Sequence, residues 1–447
     1  MSFISNTDSD RSSMLKSIGV RNLEELLNNI PSEIRLRDGL NLPGPLSEYE
    51  VLKELQAVSG KNKNVEDLVS FLGAGSYDHF IPSAIGAITG RSEFATAYTP
   101  YQAEVSQGTL QSIYEYQTMI CYLTGMDVAN ASMYDCGSAL AEACLLAVTH
   151  LDRDEIVIAG KVHPHYLQVV RTYCEGQKVR VRETRLSDGG SDIDEVRRAV
   201  TSSTAAVVVQ QPNFNGCLED VFELQAIAHS QGGLYIVAAD PISLGILAPP
   251  GDYGADVVVG EGQGLGLGMN FGGPYLGIFA VREALLRRIP GRLAGITTDA
   301  DGKRGFVLTL QTREQQIRRE KATSNICTNQ GLMMLSACVY LSLLGKQGVQ
   351  EVARLCLQKS HYLANRISTL SGFGLKYGRP YFKEFVIRTP LPPEQIIEKL
   401  ARENILAGVD LAQLEAHESG LLVAVTEKRT KDEMDRFVEA LRRIQSS

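Results

Sequence analysis

The stretch Leu234-Tyr235-Ile236-Val237-Ala238-Ala239-Asp240-Pro241 is a short apolar run that ends abruptly in a carboxylate. An apolar run of this length, bounded by turn signals, reads as a strand buried on both faces, as in a parallel sheet. Similar runs stand at Glu155–Ala159, Val179–Arg185, Ala205–Gln210, Asp256–Val259 and Tyr275–Val281. Helical spacing fills several of the gaps, at Gly137–His150, His165–Glu175, Asp192–Val200 and Leu218–Gln231. Strand alternating with helix predicts an α/β fold: a mainly parallel, doubly wound sheet with helices on both faces. Asp256–Val259 and Tyr275–Val281 lack a full crossover helix between them, so a mixed sheet is expected. Asp240 then falls at the C-terminal end of a central strand, in the crevice where open sheets bind ligands.

Outward from this block the patterning changes. Arg11–Ile18, Asn22–Ile30 and Ser47–Val58 have amphipathic helical spacing, with Pro31 ending the second. A Gly-rich passage follows, Phe71-Leu-Gly-Ala-Gly-Ser-Tyr-Asp-His-Phe-Ile-Pro82, whose glycines predict tight turns with backbone close to a neighbour. Tyr98–Gly108 is polar and aromatic and leads into a helix from about Leu110. Asn329–Leu370 is rich in helix formers and broken near Gly345–Gly348; strands at Glu384–Arg388 and Leu421–Val425 surround a helix at Pro393–Asn404, and Thr430–Ile444 is a closing amphipathic helix. The expected domains are a helical arm over 1–70, a large α/β domain over 71–328 and a small α+β domain over 329–447.

The 447 residues are 44% hydrophobic and 21% charged, which excludes a disordered or collagen-like chain. Lys and Arg total 44 against 52 for Asp and Glu, a net charge of −8, so neither nucleic acid nor an anionic membrane surface is an expected partner. The eight cysteines are scattered without a CxxC pair and read as reduced thiols of a cytoplasmic protein rather than a disulfide framework or metal site. The polar opening MSFISNTDSDRSSML resembles neither a signal nor a transit peptide, and no run approaches 18 apolar residues.

Chemistry-bearing residues occur in a telling order. The turn Asn130–Gly137-Ser138 opens a helix whose free N–H groups suit a phosphate, or it is an ordinary capped helix. His163, in Val162-His-Pro-His165, can stack on a ring; His165 reads as a plain surface or core histidine. Asp240 can hold a protonated pyridine nitrogen, or cap the loop before Pro241. Phosphate turn, stacking residue and strand-end Asp resemble the layout of fold-type I enzymes that use pyridoxal phosphate (PLP). The lysine that completes that layout is missing: no Lys occurs between Lys178 and Lys303. The Gly-rich segment after Asp240 carries Gln263 instead, and an amide cannot form an imine. Its glycines fit GxGxxG in no frame, so a dinucleotide site is unsupported.

Four blocks carry a wider resemblance: FLGAGSYDHFIP at Phe71–Pro82, TPYQAEVSQG at Thr99–Gly108, Asp256–Pro274, and TREQQIRREKATSNICT at Thr312–Thr328. Through them nearly the whole chain resembles the glycine decarboxylase (P-protein) family of the glycine cleavage system, in its two-chain form and specifically the first, alpha, subunit. The resemblance implies a PLP-transferase-like fold. It implies decarboxylation of glycine through PLP, release of CO2, and transfer of the aminomethyl group to the lipoyl group of H-protein. The family's cofactor lysine precedes a closing Gly-Gly-Pro, and Gln263 stands at that position. PLP is therefore expected on the partner, subunit 2, in an alpha2-beta2 assembly, and this chain's own pocket (Gly137, Ser138, His163, Asp240, Gln263) is expected to be vestigial. Such sites form at dimer interfaces, so Tyr98, Thr99, Tyr101, Gln102, Glu104 and Gln107 are the residues this chain would offer to the partner's active site; each can equally be part of a structural interface loop. Two other readings stand beside this one: a scaffolding pseudoenzyme, and a stand-alone PLP enzyme using Lys303 or Lys321.

Overall fold

The computed structural model describes residues 5–36, 39–327 and 329–445. The first four residues of the polar opening and Thr328, the last residue of the expected large domain, lie outside them. The chain divides into two compact units, 1–63 and 64–447.

The first unit is the helical arm. Thr7 and Asp10 form a capping box at the start of the helix Asp8–Ile18, and Gly19 closes it in the left-handed region that favours glycine. Ser47 and Glu50 cap Glu48–Ser59 in the same way. None of the unit's described residues is buried, and Ile18, Leu23, Leu42 and Leu55 all stand exposed. The apolar stripes read from the sequence are therefore present without a core of their own.

The second unit is built on a seven-stranded sheet. Its strands are β1 (Val128–Ala129), β2 (Glu155–Ala159), β3 (Arg180–Glu183), β4 (Thr204–Gln211), β5 (Leu234–Ala239), β6 (Val257–Glu261) and β7 (Gly277–Val281). Their order is β1-β7-β6-β5-β4-β2-β3. Strands β3, β2, β4, β5 and β6 run parallel, and β7 is antiparallel to both β6 and β1. The sheet is mixed at the place where the sequence leaves no room for a crossover helix. Alternate strand residues feed two cores: Val157, Val207, Val209 and Val237 lie in one, Ile156, Ile158, Val208 and Ile236 in the other. Both faces are thus covered, as near-continuous apolar strands require.

A four-stranded antiparallel sheet follows in the C-terminal part, formed by Gly374–Leu375, Glu384–Arg388, Leu421–Ala424 and Val409–Asp410. The closing helix Lys431–Gln445 sets Phe437 4.5 Å, ring to ring, from Phe71 at the head of the Gly-rich passage. Val69–Ser70 also pairs in parallel with Ile405–Leu406. The Gly-rich passage therefore starts in the C-terminal layer and crosses to the ends of the large sheet.

The helix Gly331–Ile367 is broken at Gly345, where φ is 56° and ψ −174°. By length and composition alone it contains an 18-residue window apolar enough to cross a bilayer, while interspersed Ser and Gly keep every uninterrupted apolar run short, as the sequence reading has it. Half of that window is buried, with Met334, Leu335 and Tyr340 in the core.

Candidate functional site

Parallel pairing aligns the C-terminal ends of β4, β5 and β6: Gln211 sits opposite Ala239, and Ala239 opposite Gly260. The next residues, Asp240 and Glu261, therefore emerge side by side into one crevice. Asp240 accepts the Ile242 N–H at 3.0 Å on Oδ1, and its Oδ2 lies 2.8 Å from Lys383 Nζ. Lys383 comes from the C-terminal part of the chain, one residue before the strand Glu384–Arg388, and its side chain is 2% exposed. Its Nζ also stands 3.7 Å from the centre of the Tyr77 ring and 3.2 Å from His79 Nε2. Asp240 thus faces a cation supplied by its own chain.

The pairing extends one step further. His79 Nδ1 is 2.6 Å from Glu427 Oε2, and the Phe80 N–H gives a second bond to Glu427. With Lys383 donating to Nε2, the imidazole hydrogen is assigned to Nδ1 and points at Glu427. Burial alone would raise the Glu427 carboxyl; His79 and these hydrogen bonds outweigh it and hold it down to about 2. Cys356 Sγ lies 3.5 Å from the same Glu427 oxygen. His79, Cys356 and Glu427 bring metal-ligating types together, but their atoms are engaged with one another and with Lys383.

Gln263 is fully committed. Its Oε1 accepts the Tyr77 N–H at 2.9 Å, and its Nε2 donates to the Tyr77 and Leu267 carbonyls at 3.1 and 2.8 Å. At the start of the helix Cys136–Leu151, Ser138 closes a capping box with Asp135, which takes the Ser138 N–H at 2.7 Å. Gly137 is buried in this first turn. The Cys136 N–H donates to Glu261 Oε2 at 3.1 Å, and Glu261 Oε1 takes the Gln263 and Leu276 N–H groups. Burial nevertheless pushes the Glu261 carboxyl up to about 8.

His163 is buried and caps the helix Pro164–Gly176. It accepts the His165 N–H on Nδ1, so its Nε2–H donates to the Ala74 carbonyl at 2.9 Å, and its ring stacks on Tyr166 with centroids 4.2 Å apart. Burial pushes this imidazole down to about 4, leaving it neutral. His165 is exposed. Two glycines of the passage make the approach feasible: a Cβ on Gly73 would collide with the Glu384 carboxylate, and Gly75, at φ +94°, passes with no room for one beside the His163 ring.

The residues of this crevice do not fit PLP. The cavity bounded by Tyr77, Asp240, Glu261 and Lys383 measures about 50 Å³, whereas pockets for ligands of this class run from roughly 300 Å³ upward. No amine stands at residue 263, and the Asp240 carboxylate is already paired. Lys303 is three-quarters exposed beside Asp301 in the hairpin turn between Leu293–Thr298 and Arg304–Thr309, and Lys321 is exposed; neither lines the crevice.

The loop expected to serve a partner lies elsewhere on this unit. Tyr98 is 84% and Tyr101 49% exposed, and Gln102 and Glu104 are exposed as well. The side chains of Tyr98, Gln102 and Glu104 make no hydrogen bond to another described residue. Tyr101 is held from behind: its hydroxyl is 3.2 Å from Gln316 Nε2, and the Arg292 guanidinium lies 5.6 Å from its ring centre. Arg292 in turn donates to the Cys327 carbonyl at 2.6 Å. The TPYQAEVSQG and TREQQIRREKATSNICT blocks are thereby brought together. Thr99 is half-buried and its carbonyl accepts the Tyr101 N–H. Gln107 spends both ends of its amide on the backbone of Phe306, so it acts as a clamp on the Leu293–Thr309 hairpin. Arg313 is buried against the Leu310, Ile289 and Gly291 carbonyls, while Arg318 is solvated.

The sequence reading did not single out Tyr77, His79, Glu261, Lys383, Glu384 or Glu427. The detectable signal was a Lys-Glu pair inside the apolar run Tyr381-Phe-Lys-Glu-Phe-Val-Ile387, since buried charges in a strand require partners.

Against known proteins, residues 1–441 match the glycine cleavage system P-protein family. A protein of Chloroherpeton thalassium named "Probable glycine dehydrogenase (decarboxylating) subunit 1" is 60% identical over 99% of this chain and 100% of its own length. A protein of the same name from Chlorobium chlorochromatii is 58% identical over 99% of each. A crystal structure of glycine decarboxylase (P-protein) of the glycine cleavage system, in inhibitor-bound form, superposes with a TM-score of 0.90 at 41% identity, covering 99% of this chain and 100% of that one. A sphingosine-1-phosphate lyase of Burkholderia pseudomallei, 14% identical with a TM-score of 0.66 over 92% of this chain and 93% of its own, shares the fold alone. The expected fold-type I, PLP-transferase-like architecture is present.

Proposed function

The chain belongs to the glycine cleavage system P-protein family, and from that premise we infer that it is the lysine-free subunit of a two-chain glycine decarboxylase. Its relatives are named as a first subunit of glycine dehydrogenase (decarboxylating), so a second, unlike chain is its partner. That partner, subunit 2, holds PLP, which when bound supplies the electron sink for loss of CO2 from glycine. The remaining aminomethyl group goes to the lipoyl arm of H-protein. The assembly is an alpha2-beta2 complex in the cytoplasm.

One observation carries this division of labour. The crevice of this chain is closed by Lys383, while Tyr98, Gln102 and Glu104 are displayed on the surface with their polar groups unspent. Such groups suit a site completed across an interface, where Tyr98 and Gln102 donate to the substrate carboxylate or cofactor phosphate, Glu104 accepts from an N–H, and the loop excludes water. Thr99 and Gln107 hold the loop in shape, and Arg292 with Gln316 fixes Tyr101. The exposed apolar stripes of residues 5–63 cover the partner in an interface on the order of several thousand Å², as obligate complexes have.

Glycine–CO2 exchange by the co-expressed pair tests the reading. This chain alone should be inactive and the pair active. Tyr101→Phe, or Tyr98→Phe with Gln102→Ala, should slow exchange by roughly a hundredfold, the typical effect of removing a donor from such a site, with the complex still eluting intact on sizing. Unchanged exchange in every loop variant would instead make the chain a scaffold. Two chains eluting separately at micromolar concentration would refute the partnership.

A further inference from the structure

We propose that the cofactor crevice of this chain has been refilled from within, with Lys383 as its internal counter-ion, so that it stays closed to a phosphorylated pyridine aldehyde even when an amine is restored at residue 263. The loss of the imine lysine is then only one of two locks, and the second is a side chain from the opposite end of the sequence.

Three polar positions that such a ligand would need are already taken. Asp240 has one carboxylate oxygen on the Ile242 N–H and the other on Lys383, at 3.0 and 2.8 Å. At the helix start, the Ser138 N–H is on Asp135 and the Cys136 N–H on Glu261. At residue 263 the amide is saturated by the Tyr77 backbone and Leu267. Space is taken too. The Tyr77 ring lies against Lys383 Nζ, and its hydroxyl donates to Glu384 Oε2 at 2.9 Å. Glu384 also takes the Ala74 N–H at 2.7 Å. The neighbouring pair Lys383-Glu384 therefore bolts the C-terminal strand and the Gly-rich passage over the strand ends, leaving about 50 Å³.

Electrostatics explains why the bolt is a lysine. A strand-end carboxylate buried without a cation is costly, and in the absence of a ligand the chain must supply that cation itself. Lys383 does so, and it also places a cation over the Tyr77 face and a donor on His79, so its ammonium meets two acceptors and a π-face.

The test uses the purified full chain, PLP and borohydride, with adducts mapped by peptide mass. It is independent of glycine cleavage, since no turnover is measured; a failed partnership with subunit 2 would leave it untouched. Gln263→Lys alone should give no reducible absorbance band and no adduct at residue 263. Gln263→Lys with Lys383→Ala should gain both, toward one adduct per chain, with a folded circular-dichroism spectrum. An adduct at residue 263 of equal occupancy in the single variant would overturn the proposal, and so would its absence from a folded double variant. The unaltered chain gives a second readout should the double variant not fold. There, Lys303 on its exposed hairpin turn should be labelled at least roughly tenfold more than Lys383, because reaching Lys383 requires local opening. Equal labelling of the two would show an open crevice and refute the refilling.

Discussion

Replacing Lys383 by Met removes the cation and keeps an unbranched chain of similar length in place. Its side chain is 2% exposed and that of Asp240 17%, so the substitution strands a carboxylate that is mostly shielded from water. Breaking a buried pair from one side costs about 3–5 kcal/mol. Asp240 retains the Ile242 N–H and some solvent, which places the expected loss at the lower end, about 3 kcal/mol. Unfolding entropy of about 2.1 cal/mol/K per residue gives the unit spanning 64–447 roughly 0.8 kcal/mol/K, so the melting temperature should fall by about 4 °C. Adding Asp240→Asn removes the stranded charge, and replacing both members of such a pair is close to neutral. The double variant should therefore recover most of the loss, a coupling on the order of 2 kcal/mol. Calorimetric scans of the full chain and its three variants at pH 7 measure this directly. Additivity of the two single effects within about 0.5 kcal/mol would show that the pair contributes nothing, and the reasoning would fail.

Three further outcomes are expected. Burial raises the carboxyls of Glu261 and Glu384 from 4.5 to about 8 and about 7, so the folded chain holds more protons than the unfolded one across that window; stability, complete below about pH 4.5, should decline as pH rises through 7 and 8. Glu261→Gln should reduce the pH slope of the unfolding free energy, measured by urea titration from pH 5 to 8, by up to about 1.4 kcal/mol per pH unit, and an unchanged slope would acquit Glu261. Gly73→Ala should destabilise by about 1–3 kcal/mol in urea titrations, since its Cβ would meet the Glu384 carboxylate and lie 2.6 Å from Ala424 Cβ; a neutral result would mean the passage can shift aside. Deleting residues 1–63 should abolish co-purification with the second subunit while leaving the circular-dichroism melt of the remainder within a few degrees, because no described residue of that unit is buried; retained assembly would show that the arm is not part of the interface.

Six of the sheet's seven strands were legible as short runs separated by helical spacing, and its mixed character showed in the short gap before Tyr275–Val281; the two-residue edge strand Val128–Ala129 was too short to leave a pattern. The break in the long helix was legible from Gly345 for the same local reason. The hairpin Leu293–Thr298 with Arg304–Thr309 was not, since half of its first strand faces solvent and the pattern is weak. In the crevice, Asp240 could be placed because it follows directly on a strand, and Gln263 because it stands in the Gly-rich segment at a set distance before Gly-Gly-Pro274. Lys383 could not: it stands 143 residues after Asp240, and a pairing across that separation leaves no local periodicity. Glu261 looked like one more polar residue among glycines, although it takes three backbone N–H groups.

The way the crevice is closed follows from the fold itself. A parallel sheet with helices starting above its strand ends gathers helix N–H groups and strand-end side chains at one edge, whatever the chain then does with them. Groups gathered there and removed from water must be bonded or charge-paired, by a ligand or by the chain. With an amide at residue 263 the ligand has no covalent anchor, and the chain answers each position in turn: Lys383 for Asp240, Glu261 for the first N–H of the helix, Tyr77 for the amide of Gln263. Each of these contacts consumes a group that could otherwise act on a substrate. The polar groups of Tyr98, Gln102 and Glu104, by contrast, lie outside the crevice on an exposed loop, where the proposed site shared with a second chain would need them.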